Sequence, residues 1–151
     1  GNHSSGKSSF TNYLLNRKIQ STGVAPTDDA FTIIAPGPQD IDRDGPSFIG
    51  DPDMGFSTLR NFGPTLVHHT QLKIRSDTRI KDFMLIDSPG MIDSPRVNGS
   101  SSTTTNVQEN MDGYATRMME RGYDFENVCK WYAEKADVIL LFFGMVVCGF
   151  L

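Results

Sequence analysis

Cysteine is scarce in this chain, and the two that occur do not make a set. Cys129 and Cys148 stand in apolar surroundings without C-x-x-C spacing, which excludes a zinc ribbon or a disulfide scaffold and points to a reducing compartment. A basic excess is also missing. Fourteen Lys and Arg against eighteen Asp and Glu leave a net charge of -4, so the electrostatic footprint of a nucleic-acid partner is absent. Long apolar runs are lacking too: Val138 to Leu151 is almost wholly apolar but only 14 residues long, short of the ~20 that span a bilayer as a helix. It is expected to be a buried strand followed by an abnormal end. The first residues are polar, and no signal peptide can be read in them.

What remains is the composition of a soluble globular protein, 38% apolar and 21% charged over 151 residues, with one domain as the expectation. Its opening stretch, GNHSSGKSSF, fits the phosphate-cradling pattern G-x-x-x-x-G-K-[ST]. The glycines let backbone N–H groups converge on phosphate oxygens, and the positive end of a following helix adds to them. Phe10, Tyr13, Leu14 and Ile19 fall near helical spacing, which predicts a helix starting at Lys7. Lys7 would bring a full charge to the β and γ phosphates, and Ser8 a hydroxyl to Mg²⁺.

Further along, Ala30 to Ala35 has the β-branched and aromatic content of a short strand, ended by Pro36-Gly37-Pro38. Residues 36 to 64 are rich in Gly, Pro and Asp and predict loops with a short strand at Ser47 to Ile49, while Leu66 to Arg75 fits a helix end or a strand. KDFMLI at Lys81 to Ile86 predicts a buried strand that delivers Asp87-Ser88-Pro89-Gly90 at its end. A D-x-x-G string is weak alone, but here a strand end would place Asp87 where a carboxylate holds Mg²⁺ through water, and Gly90 where an N–H meets a γ-phosphate. Pro26-Thr27-Asp28-Asp29 lies on a connector of the length that closes over Mg²⁺, with Thr27 as a metal ligand and water-holding residue. Met91 occupies the place of a water-orienting glutamine and cannot do that work.

The tract Asn98 to Asn106, within about residues 96–113, is too poor in apolar residues to order itself and is expected to be a flexible insertion. From Asp124, a capping residue, Phe125, Val128, Cys129, Tyr132, Ala133 and Ala136 follow helical spacing. Asp137 to Phe143 then predicts another buried strand. Strands alternating with helices imply an α/β sheet with its ligand site at the carboxyl ends of the strands.

These segments, GNHSSGKSSFTNYLL, APTDDAFTII, GDPDMGFSTLRNFG, FMLIDSPGMID, RGYDF and KWYAEKADVILLFF, resemble the dynamin superfamily, and most closely the EH-domain-containing ATPases and their sarcalumenin-like relatives. The resemblance implies a P-loop α/β domain with a mostly parallel sheet flanked by helices, hydrolysing ATP or GTP with Mg²⁺ when assembled on membranes. It implies phosphate contacts from Gly1, Ser4, Ser5, Gly6, Lys7, Ser8 and Ser9, Mg²⁺ ligation by Ser8 and Thr27 with Asp87 behind them, and γ-phosphate sensing by Gly90. Catalysis would rest on Lys7, Thr27 and Ser4. Family members also lack the glutamine, so Met91 fits.

The same resemblance implies a homo-dimer or oligomer, a cytoplasmic, peripheral-membrane location on endosomal or plasma membrane, and lipid contacts through parts outside residues 1–151. The strand before the phosphate loop and the N/T-K-x-D base-reading segment are expected to be absent from this stretch, which makes it a partial nucleotide-binding domain. An adaptor that binds nucleotide without hydrolysing it, or an inactive fragment, is the alternative function. A P-loop kinase is disfavoured by the switch-like Thr27 and Asp87-Ser-Pro-Gly90.

Other features are set aside. Asp40-Ile-Asp42-Arg-Asp44-Gly45 starts like a calcium loop, but Asp51 replaces the bidentate Glu, and Pro38 and Pro46 disrupt the flanks. His3, His68 and His69 lack partners at metal spacing.

Overall fold

Phe31, Thr32, Ile33 and Ile34 are buried in succession, the pattern of a strand covered on both faces. The computed structural model describes residues 6–19, 30–90 and 121–142, and these fall into two compact units.

The first unit contains helix α1 (Lys7–Leu15) and strands β1 (Phe31–Pro36), β2 (Ile41–Asp44), β3 (Thr70–Arg75) and β4 (Leu85–Asp87). The strands form one sheet in the order β2-β3-β1-β4. β1 runs parallel to β3, with Ile33 opposite Leu72. β4 is antiparallel to β1, with Ile33 opposite Ile86, and β2 is antiparallel to β3. Residues opposite one another, and those two apart along a strand, share a face. Ile34, Leu85 and Lys73 therefore lie on one face together with Thr32, Asp87 and Gln71. α1 covers that face: Leu15 packs with Ile34 and Ile80, and Leu14, Ile19 and Leu85 close around them.

α1 begins on cue at Lys7 and ends for a local reason. Asn16 adopts the left-handed conformation (φ 53°), its N–H donates to Tyr13 O (3.1 Å), and the N–H of Arg17 donates to Asn12 O (3.1 Å). These two bonds are the paired closure that satisfies the last helical carbonyls. At the other end of the same helix Phe10 meets Phe142, with ring centroids 5.2 Å apart.

The second unit holds the short helices α2 (Gly45–Ile49, from Pro46 on) and α3 (Pro64–His68), two 3₁₀ turns, and helix α4 (Phe125–Ala133). Asp124 caps α4 by accepting the Asn127 N–H (3.1 Å), as its sequence position predicts. Val128 and Tyr132 are the buried stripe of α4. Phe48, Phe56, Trp131 and Tyr132 form a chain of ring contacts at 5.6, 6.5 and 5.0 Å, and Lys135 Nζ sits 4.6 Å above Trp131. Gly122 (φ 72°) passes so close to Thr65 that a Cβ there would stand 2.9 Å from its Cγ2. Burial, above all, holds the Tyr132 phenol protonated well beyond its ordinary range.

Several expectations need correction. The described sheet is mixed, with one parallel and two antiparallel pairings, rather than mostly parallel. Antiparallel pairing needs no crossover connection, and β2 folds back on β3 in that way. The short strand expected at Ser47 to Ile49 is helical, because Pro46 fixes a helix-compatible φ at its start; the strand lies earlier, at Ile41–Asp44. Leu66 to Arg75 is both alternatives in succession, the end of α3 and then β3. KDFMLI is not a buried strand throughout. Only Leu85 and Ile86 join β4, and Phe83 and Met84 are about half exposed, at 49% and 52%. Nor do 137–142 form a strand: no ladder of the described sheet includes them, and Val138 to Leu141 stay exposed. An apolar run becomes a strand only when a neighbour takes up its backbone groups. Phe143 and the rest of the tail, like residues 96–113, lie outside the described residues.

Candidate functional site

The amino end of α1 is shaped by Gly6, which holds φ 78°, ψ 7° in the left-handed region. Glycine adopts that conformation without steric cost, and having no side chain it leaves the first turn of the helix uncapped by its own atoms. The first intrahelical bond is Phe10 N–H to Gly6 O (2.8 Å), so the N–H groups of Lys7, Ser8 and Ser9 precede the ladder and have no intrahelical acceptor. No acidic residue stands in this turn. Among the described residues, nothing lies within 4 Å of the place a Gly6 Cβ would take. Lys7 and Ser8 are half-buried and Ser9 is exposed.

Asp87 ends β4 opposite Thr32, on the face of the sheet that α1 covers. Two residues back, Leu85 packs in the same cluster as Leu15. Strand and helix are thereby joined by apolar contacts, while Asp87 and Gly90, on either side of the buried Pro89, stay half-buried at the strand's carboxyl end. Thr32 is fully buried, and its hydroxyl accepts from Gln71 Nε2 (2.8 Å). The structure thus puts Gly6, Lys7, Ser8 and Ser9 on one element and Asp87 and Gly90 on its packing partner. Gly1, Ser4, Ser5, Thr27 and Met91 lie outside the described residues.

The residues present suit a magnesium–triphosphate group. A left-handed glycine and a first helical turn free of acids suit an anion. The Ser8 hydroxyl and the Asp87 carboxylate are hard oxygen donors of the kind Mg²⁺ takes. No group of three or more His, Cys, Asp or Glu poised to hold a metal by themselves occurs among the described residues, so a cation here would draw ligands from its phosphates and from water as well.

At the other end of α1 the structure shows a polar network that the sequence did not announce. Arg17 Nη1 donates to Asp40 Oδ1 (2.9 Å) and to Ser76 O (2.9 Å), while Nη2 donates to Asp40 Oδ2. Ser76 adds its N–H (2.9 Å) and its Oγ (3.0 Å) to Asp40 Oδ1. The Arg17 fork and, next, the Ser76 N–H hold the Asp40 carboxyl well below the usual carboxylate range, and Asp40 in turn raises Arg17. Beside it, Arg75 pairs with Asp42 (2.6 Å) and donates to Ile74 O (2.9 Å) and Ile41 O (3.3 Å). Asn12 Oδ1 accepts the Ile19 N–H (2.8 Å). Two carboxylates of the calcium-like string are therefore engaged by arginines. With Lys18 and Ile19 these residues line a shallow pocket of about 260 Å³.

The family model described as "Dynamin family" matches residues 1–147. Over 145 residues the chain is 29% identical to EH domain-containing protein 2 of Homo sapiens, a match that covers 95% of this chain and 23% of that protein. EH domain-containing protein 1 of Arabidopsis thaliana is 28% identical and EH domain-containing protein 3 of Homo sapiens 26% identical, with the same coverage. The chain thus spans about 23% of the length of these relatives.

Proposed function

The chain belongs to the dynamin family, and from that premise we propose that it binds a nucleoside triphosphate, ATP or GTP, with Mg²⁺ and serves a protein that hydrolyses it while remodelling membranes. The observation that supports this is the match of residues 1–147 to the dynamin family, together with a left-handed Gly6 opening a helix that packs through Leu14 and Leu15 beside Leu85 of the strand that Asp87 ends. Gly1, Ser4, Ser5, Gly6 and Ser9 would wrap the phosphates with backbone N–H groups, and Lys7 would balance the β and γ charges. Ser8 and Thr27 would ligate Mg²⁺, with Asp87 orienting its water shell and Gly90 donating to the γ-phosphate. When bound, the cation neutralises charge on the β and γ oxygens as the terminal phosphoryl is transferred to water.

Met91 offers no amide to orient that water. The task falls to the Thr27 carbonyl and the phosphate loop, with Ser4 and Lys7 steadying the transferred group, and turnover is expected to be slow until self-association orders the site. Homo-oligomers on a lipid surface are the proposed working form, on endosomal or plasma membrane and reached from the cytoplasm. Among the described residues no helix is long and apolar enough to cross a bilayer, and the lipid contacts are assigned to other parts of the protein.

The test is hydrolysis of ATP and of GTP by the product of the whole gene, with and without liposomes, for the wild type and Lys7→Ala. Liposome-stimulated turnover lost in Lys7→Ala supports the enzyme. Tight binding without turnover supports a nucleotide-dependent adaptor, and no binding at all would remove both.

A further inference from the structure

Two kinds of force, apolar and directional, hold α1 near its carboxyl end. Nine residues at 1.5 Å each make it about 13 Å long. Near its carboxyl end it rests on Ile34, Ile80 and Leu85 through Leu14 and Leu15. Such apolar contacts favour burial but have no preferred direction. They resist lifting of the helix more than they resist sliding or rolling.

Among the described residues, directional bonds gather where α1 ends. Arg17 is the second residue past the last turn, and the closure through Asn12 O makes it continuous with the helix. Its fork grips both oxygens of Asp40, on the loop between β1 and β2, and the carbonyl of Ser76, just past β3. Ser76 locks the same carboxylate from the other side. The Arg79 N–H adds a bond to Leu15 O (3.2 Å). A planar guanidinium bound through two nitrogens fixes orientation as well as distance. Both guanidiniums of the neighbouring pocket are engaged by the chain's own carboxylates, which ties the end of α1 to the β1–β2 loop.

We infer that Arg17 is a positioning residue: through Asp40 and Ser76 it sets how far α1 is advanced and rotated along the sheet, and so where Lys7 and Ser8, at the helix's other end, meet the phosphates. The inference rests on the nucleotide reading given above. An ångström of misplacement at a site that aligns reacting groups costs up to about a hundredfold in rate, so a brace far from the phosphates still matters to them. Because the pair is exposed, it adds little to global stability, which separates a positioning role from a merely structural one.

The experiment uses the product of the whole gene with Mg²⁺ and two probes, ATPγS and GTPγS. Arg17→Ala is expected to weaken binding of the accepted analogue by roughly tenfold, while its melting midpoint stays within about 2 °C of wild type. Arg17→Lys keeps the charge but loses the fork and is expected to be nearly as weak. The exchanged pair, Arg17→Asp with Asp40→Arg, restores the arginine–carboxylate fork but not the Ser76 bonds, and is expected to recover part of the loss. Wild-type affinity in Arg17→Ala overturns the inference, and so does a loss that tracks the melting midpoint and is not recovered by the exchanged pair. If the wild type binds neither analogue, it is the nucleotide reading that fails. Hydrogen exchange of the unliganded protein then decides the brace: Arg17→Ala should speed exchange of the hydrogen-bonded amides of α1 from Phe10 on and leave β1 and β3 unchanged, and unaltered exchange of those amides overturns it.

Discussion

Asp87 and Thr32 stand opposite each other across the antiparallel β4–β1 ladder, and this pairing puts the Asp87 carboxylate on the sheet face that α1 covers. If that carboxylate orients the water shell of a bound cation, Asp87→Asn removes the charge without changing the shape of the side chain. Hydrolysis should then fall roughly 10- to 100-fold, the usual cost of losing a partner behind the metal ligands. Nucleotide affinity measured without Mg²⁺ should be unchanged. A magnesium titration of single-turnover rates on both proteins checks this.

Gly6 holds a positive φ beside open space. Gly6→Ala should cost roughly 1 to 2 kcal/mol from left-handed strain alone, because its Cβ meets no described atom. If the phosphates lie against this turn, as proposed, the methyl would also crowd them. Denaturant melts should show the first effect, and a loss of triphosphate affinity larger than the loss of stability should show the second.

Asp40 predicts a specific dependence on pH. Its carboxyl is held below the ordinary value of about 3.9 by Arg17 and Ser76. A depressed native pKa means the unfolded chain binds the proton first, so the contribution is complete above the unfolded value and is lost as pH falls through the native one. The difference in melting midpoint between wild type and Asp40→Asn should be constant from about pH 5 to 8 and shrink below about pH 4. A difference that grows on acidification would contradict the network.

The local features of this fold were legible because their causes lie close in sequence. Glycine before Lys7 and helical spacing after it mark α1; the β-branched run from Thr32 to Ile34 marks β1; Asp124 caps α4 three residues from its donor. What escaped depends on partners far along the chain. β2 has one apolar residue in four and is a strand because β3 pairs with it. Phe83 and Met84 have strand chemistry, yet β1 extends pairing only to Leu85, Ile86 and Asp87. The Arg17–Asp40–Ser76 network joins residues 23 and 36 positions apart, and nothing in the spacing of one arginine and one aspartate announces it. Asp40 was visible only as the start of a calcium-like string. Of the candidate site, Lys7 and the aspartate at a strand end were readable as motifs, but the face of the sheet on which Asp87 lies followed from the ladder.

The central claim is that the first turn of α1 receives a triphosphate through Lys7. Calorimetric titration of Mg-ATPγS and Mg-GTPγS into wild type and Lys7→Ala, with melting curves to verify that both are folded, tests it most directly. The account predicts saturable binding of at least one analogue to wild type and roughly 10- to 100-fold weaker binding to Lys7→Ala, the range for losing a charged hydrogen-bond donor. Equal affinity in the two proteins, or no binding of either analogue to folded wild type, would contradict it.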